Sequence, residues 1–252
     1  MQTTSRLPCV ELRGHIRRYL IVRHEAACAD AHLPETGVLS AFVLRGECRL
    51  GGREPVAAAS VTGITPTLRR HTHLAGNAVA IVAFTPAGAA AWGRTPLEEI
   101  AGRTVPLDEW DGAHRDWQAE VERLRAEPND ARRFDRLDDI FRAVLTAPID
   151  PLLAAATAWL AARPGEARVA ELVRHIGLSQ SALERRFRRG VGATPKTFAR
   201  LVRFRAAAAC AGAAAGELTT VAHAAGYADQ AHFTRECQRI TGAPPSRFFA
   251  EN

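Results

Sequence analysis

The stretch LERRFRRGVGATPKTF at residues 183–198 returns fifty positions later as FTRECQRITGAPPSRF at 233–248. An internal repeat of this kind obliges the C-terminal part of the chain to build one supersecondary unit twice. Leu183 meets Phe233, Arg185 meets Arg235, Arg189 meets Arg239, Gly192 meets Gly242, Pro195 meets Pro245 and Phe198 meets Phe248. Upstream, VRHIGLS aligns with AHAAGYAD, and Gly177 matches Gly226 once the second copy is given one extra residue.

Each copy reads as a short helix, a glycine turn, a second helix and a glycine stop. In the first, Val169, Leu172, Val173 and Ile176 form an apolar face at helical spacing, Gly177 supplies a positive φ, and Ser179 is placed to cap the next helix. Leu183 and Phe187 then point inward at i, i+4, leaving Ser181, Glu184, Arg185 and Arg188 outward. The second copy repeats the pattern with Val221, Ala222 and Ala225, then Gly226, then Asp229 as N-cap. Phe233 and Cys237 face inward, and Gln230, His232 and Arg235 outward. This predicts two helix-turn-helix units. The alanine-rich connector runs from Pro195 towards Gly212 and Gly216; as a helix of about twenty residues it spans roughly 30 Å. Recognition helices in successive major grooves on one DNA face stand roughly 34 Å apart.

Charge is placed to match. Residues 150–252 hold fourteen Arg and Lys against eight Asp and Glu, so the whole net charge of +6 lies there and residues 1–149 are neutral. A basic domain beside a neutral one suits a polyanion partner, although a solvated arginine-rich face has the same composition.

The first hundred residues read as short β segments, with GVLSAFVLRGECRLGG and AVAIVAF (78–84) the clearest and Gly46, Gly51 and Gly52 as turn signals. Two amphipathic helices are predicted next. One carries Trp110, Trp117, Val121 and Leu124; the other carries Phe134, Leu137, Ile140, Phe141 and Val144. They either pack on the β domain, pair with a second subunit, or do both. APIDP marks a linker at 147–151. The expected division is therefore a β-rich sensor domain at 1–108, helices at 109–146, the linker, and a DNA-binding domain at 152–252.

The stretch GYADQAHFTRECQRITGAPPSRF, with the first copy before it, resembles the signature of the AraC/XylS-type family of bacterial transcription regulators over about residues 152–249. Cys237 and Gln238 depart from it, standing where phenylalanine and a basic residue are usual. AFTPAGAAAWGRTPLEEIAGRTVPLDEWDG is similar to the sensor domain of some members. The resemblance implies an α+β chain: an N-terminal cupin-like β-barrel with a helical appendage, then an all-α domain of two helix-turn-helix units joined by a long helix. It also implies sequence-specific binding of double-stranded DNA. Further candidate partners are RNA polymerase, a small-molecule effector and a second copy of the chain.

Phosphate neutralisation falls to Arg188, Arg189, Lys196, Arg239 and Arg247. By position in the family motif, Ser181, Glu184 and Arg185 in one unit and Gln230, His232 and Arg235 in the other are best placed to read base edges. Glu184 has an alternative as an i, i+4 partner of Arg188, Arg185 as a surface ion pair, and His232 as a plain exposed side chain. Arg203 and Arg205 on the connector are expected either in internal salt bridges or in solvating the helix.

Other chemistries find less support. HTH at 71–73 puts two histidines on one strand face, but no glutamate or second histidine segment follows at matching spacing, so no metal or other cofactor is expected. The histidines are left to line a pocket or sit on the surface. Five scattered cysteines without a CxxC pair read as reduced thiols. There is no apolar leader or eighteen-residue apolar run, so a cytoplasmic protein without membrane contact is expected. No nucleophile elbow, phosphate loop or paired-carboxylate motif suggests an enzyme. The rival reading is a cupin-like small-molecule-binding or catalytic protein with an accessory nucleic-acid-binding module.

Overall fold

The computed structural model describes the chain apart from Arg53, Arg94, residues 112–114, Thr146, residues 214–217 and Asn252, together with the side chains of 212, 213 and 251. The N-terminal part contains strands β1 (Gln2–Arg6), β2 (Ile16–His24), β3 (Cys28–His32), β4 (Leu39–Arg45), β5 (Cys48–Leu50), β6 (Glu54–Pro55), β7 (Ala59–Thr62), β8 (Arg69–His73), β9 (Asn77–Phe84) and β10 (Thr104–Pro106). Three helices follow, α1 (Leu107–Asp111), α2 (Trp117–Ala126) and α3 (Asp130–Val144).

The strands form two antiparallel sheets, one in the order β1-β2-β9-β4-β7-β10 and the other β3-β8-β5-β6. Gly46, Gly51 and Gly52 all take positive φ in the turns around β5, which is the role their spacing predicts. Among the described residues no ladder joins the sheets, so they stand as two separate layers where the resemblance implies a closed cupin-like barrel.

The layers explain the side-chain pattern of β2. Tyr19 and Ile21 alternate to one face and are fully buried with Phe42, Val82 and Phe84 against Trp117, Val121, Leu124, Leu137 and Phe141 of α2 and α3. Burying each such side chain contributes roughly 1.5–3 kcal/mol. The main core is thus sheet against helices. The apolar faces of α2 and α3 are used up inside the chain. Arg18, Leu20, Val22 and His24 alternate to the opposite face and line a cavity between the two sheets.

The first amphipathic segment is two helices, not one. Trp110 belongs to α1 and Trp117 begins α2, whose first turn is capped by Asp116 accepting from the Ala119 N–H at 2.9 Å. An N-cap needs an extended backbone, which interrupts the helix there.

The C-terminal part is all helical: α4 (Pro151–Ala161), α5 (Val169–Ile176), α6 (Gln180–Val191), α7 (Pro195–Ala213), α8 (Leu218–Ala224), α9 (Gln230–Thr241) and α10 (Pro245–Glu251). Leu183, Phe187, Phe198 and Leu201 sit in one core, and Phe204, Phe233, Cys237 and Phe248 in a second. The α7 connector links the two. No helix of the described residues is long and apolar enough to cross a membrane.

Candidate nucleic-acid interface and adjoining cavity

The two repeat copies fold as the same unit. Gly177 ends α5 in the left-handed region at φ 73°, and Ser179 Oγ accepts from the Ala182 N–H to start α6. In the second copy Gly226 has φ 75°, and Asp229 accepts from the His232 N–H at 2.6 Å to start α9. Gly192 and Gly242 close both second helices at φ 80° and 81°. Leu183 and Phe187, and likewise Phe233 and Cys237, are buried, so the opposite faces of α6 and α9 are presented to solvent. In α5 only Leu172 is fully buried; Val169, Val173 and Ile176 are half-covered.

On those faces Ser181, Arg185, Arg188 and Arg189 of α6 are exposed, as are Gln230, Arg235 and Arg239 of α9, Lys196 at the start of α7 and Arg247 in α10. Arg185, Arg188, Arg189, Lys196, Arg235 and Arg239 form no ion pair among the described residues. Glu184 is half-buried and accepts a hydrogen bond from Gln180 Nε2 at 3.1 Å, not from Arg188. Gln230 Oε1 accepts from the Thr219 hydroxyl at 2.8 Å. His232 is half-buried with its ring edge-on to Tyr227 at 5.2 Å, so Tyr227 fixes the direction it faces.

The connector arginines are tied inward. Arg203 donates to buried Glu236 at 2.8 Å and lies 4.3 Å over the Tyr227 ring, while the Tyr227 hydroxyl donates to Glu236 at 3.1 Å. Burial and the neighbouring carboxylate push the Tyr227 phenol up, so it stays a donor. Arg205 donates to the Pro34 carbonyl at 2.9 Å and pairs with Glu35 at 3.3 Å, joining α7 to the β domain. Burial works to raise the Glu35 carboxyl, yet Arg205 and Arg17 hold it below its usual range. The Leu68 N–H donates to the Ile240 carbonyl at 2.7 Å, a second tie between the β domain and α9. Gly216, expected near the connector's end, lies outside the described residues.

The cavity between the sheets measures about 580 Å³, within the roughly 300–1,000 Å³ typical of small-molecule sites. Its walls are mostly aliphatic, and Arg18, Arg69 and Arg205 also line it. Arg205 therefore belongs both to the cavity and to the helical C-terminal part. Nothing in the sequence pairs Arg205 with Glu35, 170 positions earlier. The cavity also contains His24, His32, His71 and His73. The 71–73 histidines, which looked isolated in sequence, are joined by His24 from β2 and His32 from β3. The readable signal for the last was the alternation in CADAH (28–32), which turns Cys28, Asp30 and His32 to one strand face.

A family model for a helix-turn-helix domain matches residues 172–251, spanning both units. Those residues thus carry a helix-turn-helix domain of the AraC/XylS type. No curated protein sequence matches the chain. Among solved structures it is similar to ToxT from Vibrio cholerae at 8% identity and a TM-score of 0.52, covering 99% of this chain and 97% of that one. It is also similar to ToxT from Vibrio cholerae O395 bound to (E)-4-(8-methylnaphthalen-1-yl)but-3-enoic acid, at 9% identity and a TM-score of 0.51 over 99% of both chains. At such identities the likeness establishes a shared fold. The AraC/XylS-type assignment rests on the C-terminal helices.

Proposed function

We propose that this chain is a sequence-specific transcription regulator that binds double-stranded DNA through α6 and α9 and is modulated by a small effector in the N-terminal cavity. The observation that carries the reading is the repeated unit with a basic face. Arg185 and Arg235 occupy the same position of the two copies, exposed and without ion-pair partners among the described residues, where an arginine reaches guanine edges. Ser181, Glu184, Gln230 and His232 flank them as further base readers, while Arg188, Arg189, Lys196, Arg239 and Arg247 neutralise phosphates. Residues 1–108 are the sensor, its two sheets a cupin-like sandwich around the cavity; 109–146 brace it, 147–151 link, and 152–252 bind DNA. The protein works in the cytoplasm and is not an enzyme. A homodimer would join through the charged outer faces of α2 and α3, and RNA polymerase is the further partner a regulator requires.

The effector suited to this cavity is an apolar molecule with an acid group, because aliphatic walls meet Arg18 and Arg205. ToxT, which shares the fold, binds an aryl-substituted butenoic acid. The function is tested by titrating the DNA upstream of its own gene with the full chain beside an Arg185→Ala, Arg235→Ala variant. Preference for that DNA over random duplex, lost in the variant, is expected; equal binding of both duplexes by both proteins overturns the reading. A medium-chain alkyl carboxylate is expected to raise the melting temperature, and Arg18→Ala to abolish the rise.

A further inference from the structure

At the β3–β8 end of the cavity a cluster of side chains remains that DNA recognition does not use. The β3–β8 and β5–β8 registers place Cys28 and Cys48 opposite His73, and Asp30 opposite His71. Residues facing each other across a ladder share a face, so these groups converge on one side of the smaller sheet. From the larger sheet, the His24 ring stacks on His73 at 3.9 Å between centroids and 11° between planes.

The hydrogen bonds fix the protonation of this cluster. Asn77 Nδ2 donates to the Arg45 carbonyl at 3.1 Å, which turns Asn77 Oδ1 towards His73 Nδ1 at 3.0 Å. That oxygen only accepts, so His73 carries its proton on Nδ1 and holds a bare lone pair on Nε2. His73 Nε2 is buried without a hydrogen-bond partner among the described residues, and the residue is 6% exposed. Asp30 Oδ2 lies 3.8 Å from His73 Nε2 and accepts from His24 Nε2 at 2.7 Å. Donor atoms of Asp30, His32 and His73 all fall within 4.8 Å of one another.

We propose that Asp30, His32 and His73 form a binding site for a divalent first-row transition ion, with zinc the natural occupant of this donor set. Tetrahedral ligands at about 2.1 Å from zinc stand roughly 3.4 Å apart, close to the Asp30–His73 separation, and exposed His32 swings in to complete the set. A bare imidazole nitrogen aimed at a carboxylate is the arrangement a metal resolves. His24 and Asn77 are the outer partners that orient Asp30 and His73. His32 also leads directly into Leu33, Pro34 and Glu35, the segment that grips Arg205.

The test is calorimetric titration of the full chain with Zn²⁺, with Co²⁺ absorption reporting the ligand field. One ion per chain is expected, bound at micromolar Kd or tighter. Removing a ligand in His73→Ala or Asp30→Asn is expected to weaken binding at least about 100-fold, and Asn77→Ala, which keeps every ligand, about 10–100-fold. His71→Ala, outside the set, keeps the wild-type affinity. Thermal melts identify a variant that fails to fold, and near-isosteric Asp30→Asn then decides alone. No stoichiometric ion in the folded wild type, or unchanged affinity in Asp30→Asn and folded His73→Ala, overturns the site. DNA binding is not the readout, so this outcome is separate from the regulatory reading.

Discussion

The two helix-turn-helix units use the same tether with opposite sign. At the fourth residue of the repeat the first unit has Arg186, half-exposed and paired with Asp150 at the start of α4. The second has Glu236, buried at 4% exposure and paired with Arg203 of α7. In each case an ion pair fastens the recognition helix to the helix ahead of its unit. The repeat conserves the mechanical role and leaves charge and burial free. Four residues on, the units differ again. Gly190 lets α6 approach Leu153 and Ala90 so closely that an added Cβ would lie 2.3 Å from Leu153 Cδ1, whereas the second copy has Ile240, whose carbonyl accepts from Leu68. The first unit is seated on the β domain by close packing; the second combines Leu33 and Leu68 against its core with polar ties, one of which, Arg205, lines the cavity. Ligand-dependent movement is therefore expected in the second unit.

Breaking the tethers separates the units, the largest effect first. Glu236→Ala leaves Arg203 uncompensated and the Tyr227 hydroxyl without its acceptor, and is expected to cost on the order of 3 kcal/mol. Urea melts measure the loss, and hydrogen exchange is expected to place it in α8 and α9, with α5 and α6 protected as before. Transplanting the second copy's residue in Gly190→Ile overfills the α4–α6 contact, at about 2 kcal/mol in the same melts. Asp150→Ala removes both the Arg186 partner and the cap accepting from Leu152 and Leu153, with an expected cost of about 1 kcal/mol at neutral pH. Burial pulls the Asp150 carboxyl upward, but Arg186 and the two N–H donors hold it below its ordinary 3.8. Its contribution is thus complete above 3.8 and lost as pH falls through the folded value. The stability gap between wild type and Asp150→Ala is expected to close in melts taken below that pH. Smallest, Arg188→Gln copies Gln238 and is expected to leave stability unchanged while reducing the salt slope of DNA binding by about 1.

What the sequence made legible was whatever repeats or punctuates. Gly177, Gly226, Gly192 and Gly242 announced the units because a positive φ leaves few other residues, and Ser179 and Asp229 announced the caps. Strands β1 and β2 were harder to see, since QTTSR in β1 has no apolar residue and Arg17, Arg18 and Arg23 sit among the apolar residues of β2, which has one face on the core and the other on a cavity. The split between α1 and α2 was hidden because Trp110 and Trp117 happen to keep helical spacing across it. The histidine cluster draws on β2, β3 and β8, and only the ladder between β3 and β8 brings Asp30 beside His73. Arg205 and Glu35 carry no local signal at all, since their pairing is a consequence of how the halves dock.

In the proposed regulator two equivalent units each read one major groove. Hydroxyl-radical footprinting on a bound promoter fragment tests it most directly. Two protected patches on one DNA face, roughly 10.5 base pairs apart, are predicted, with Arg185→Ala erasing one and Arg235→Ala the other. A single patch, or both substitutions weakening the same one, would contradict it.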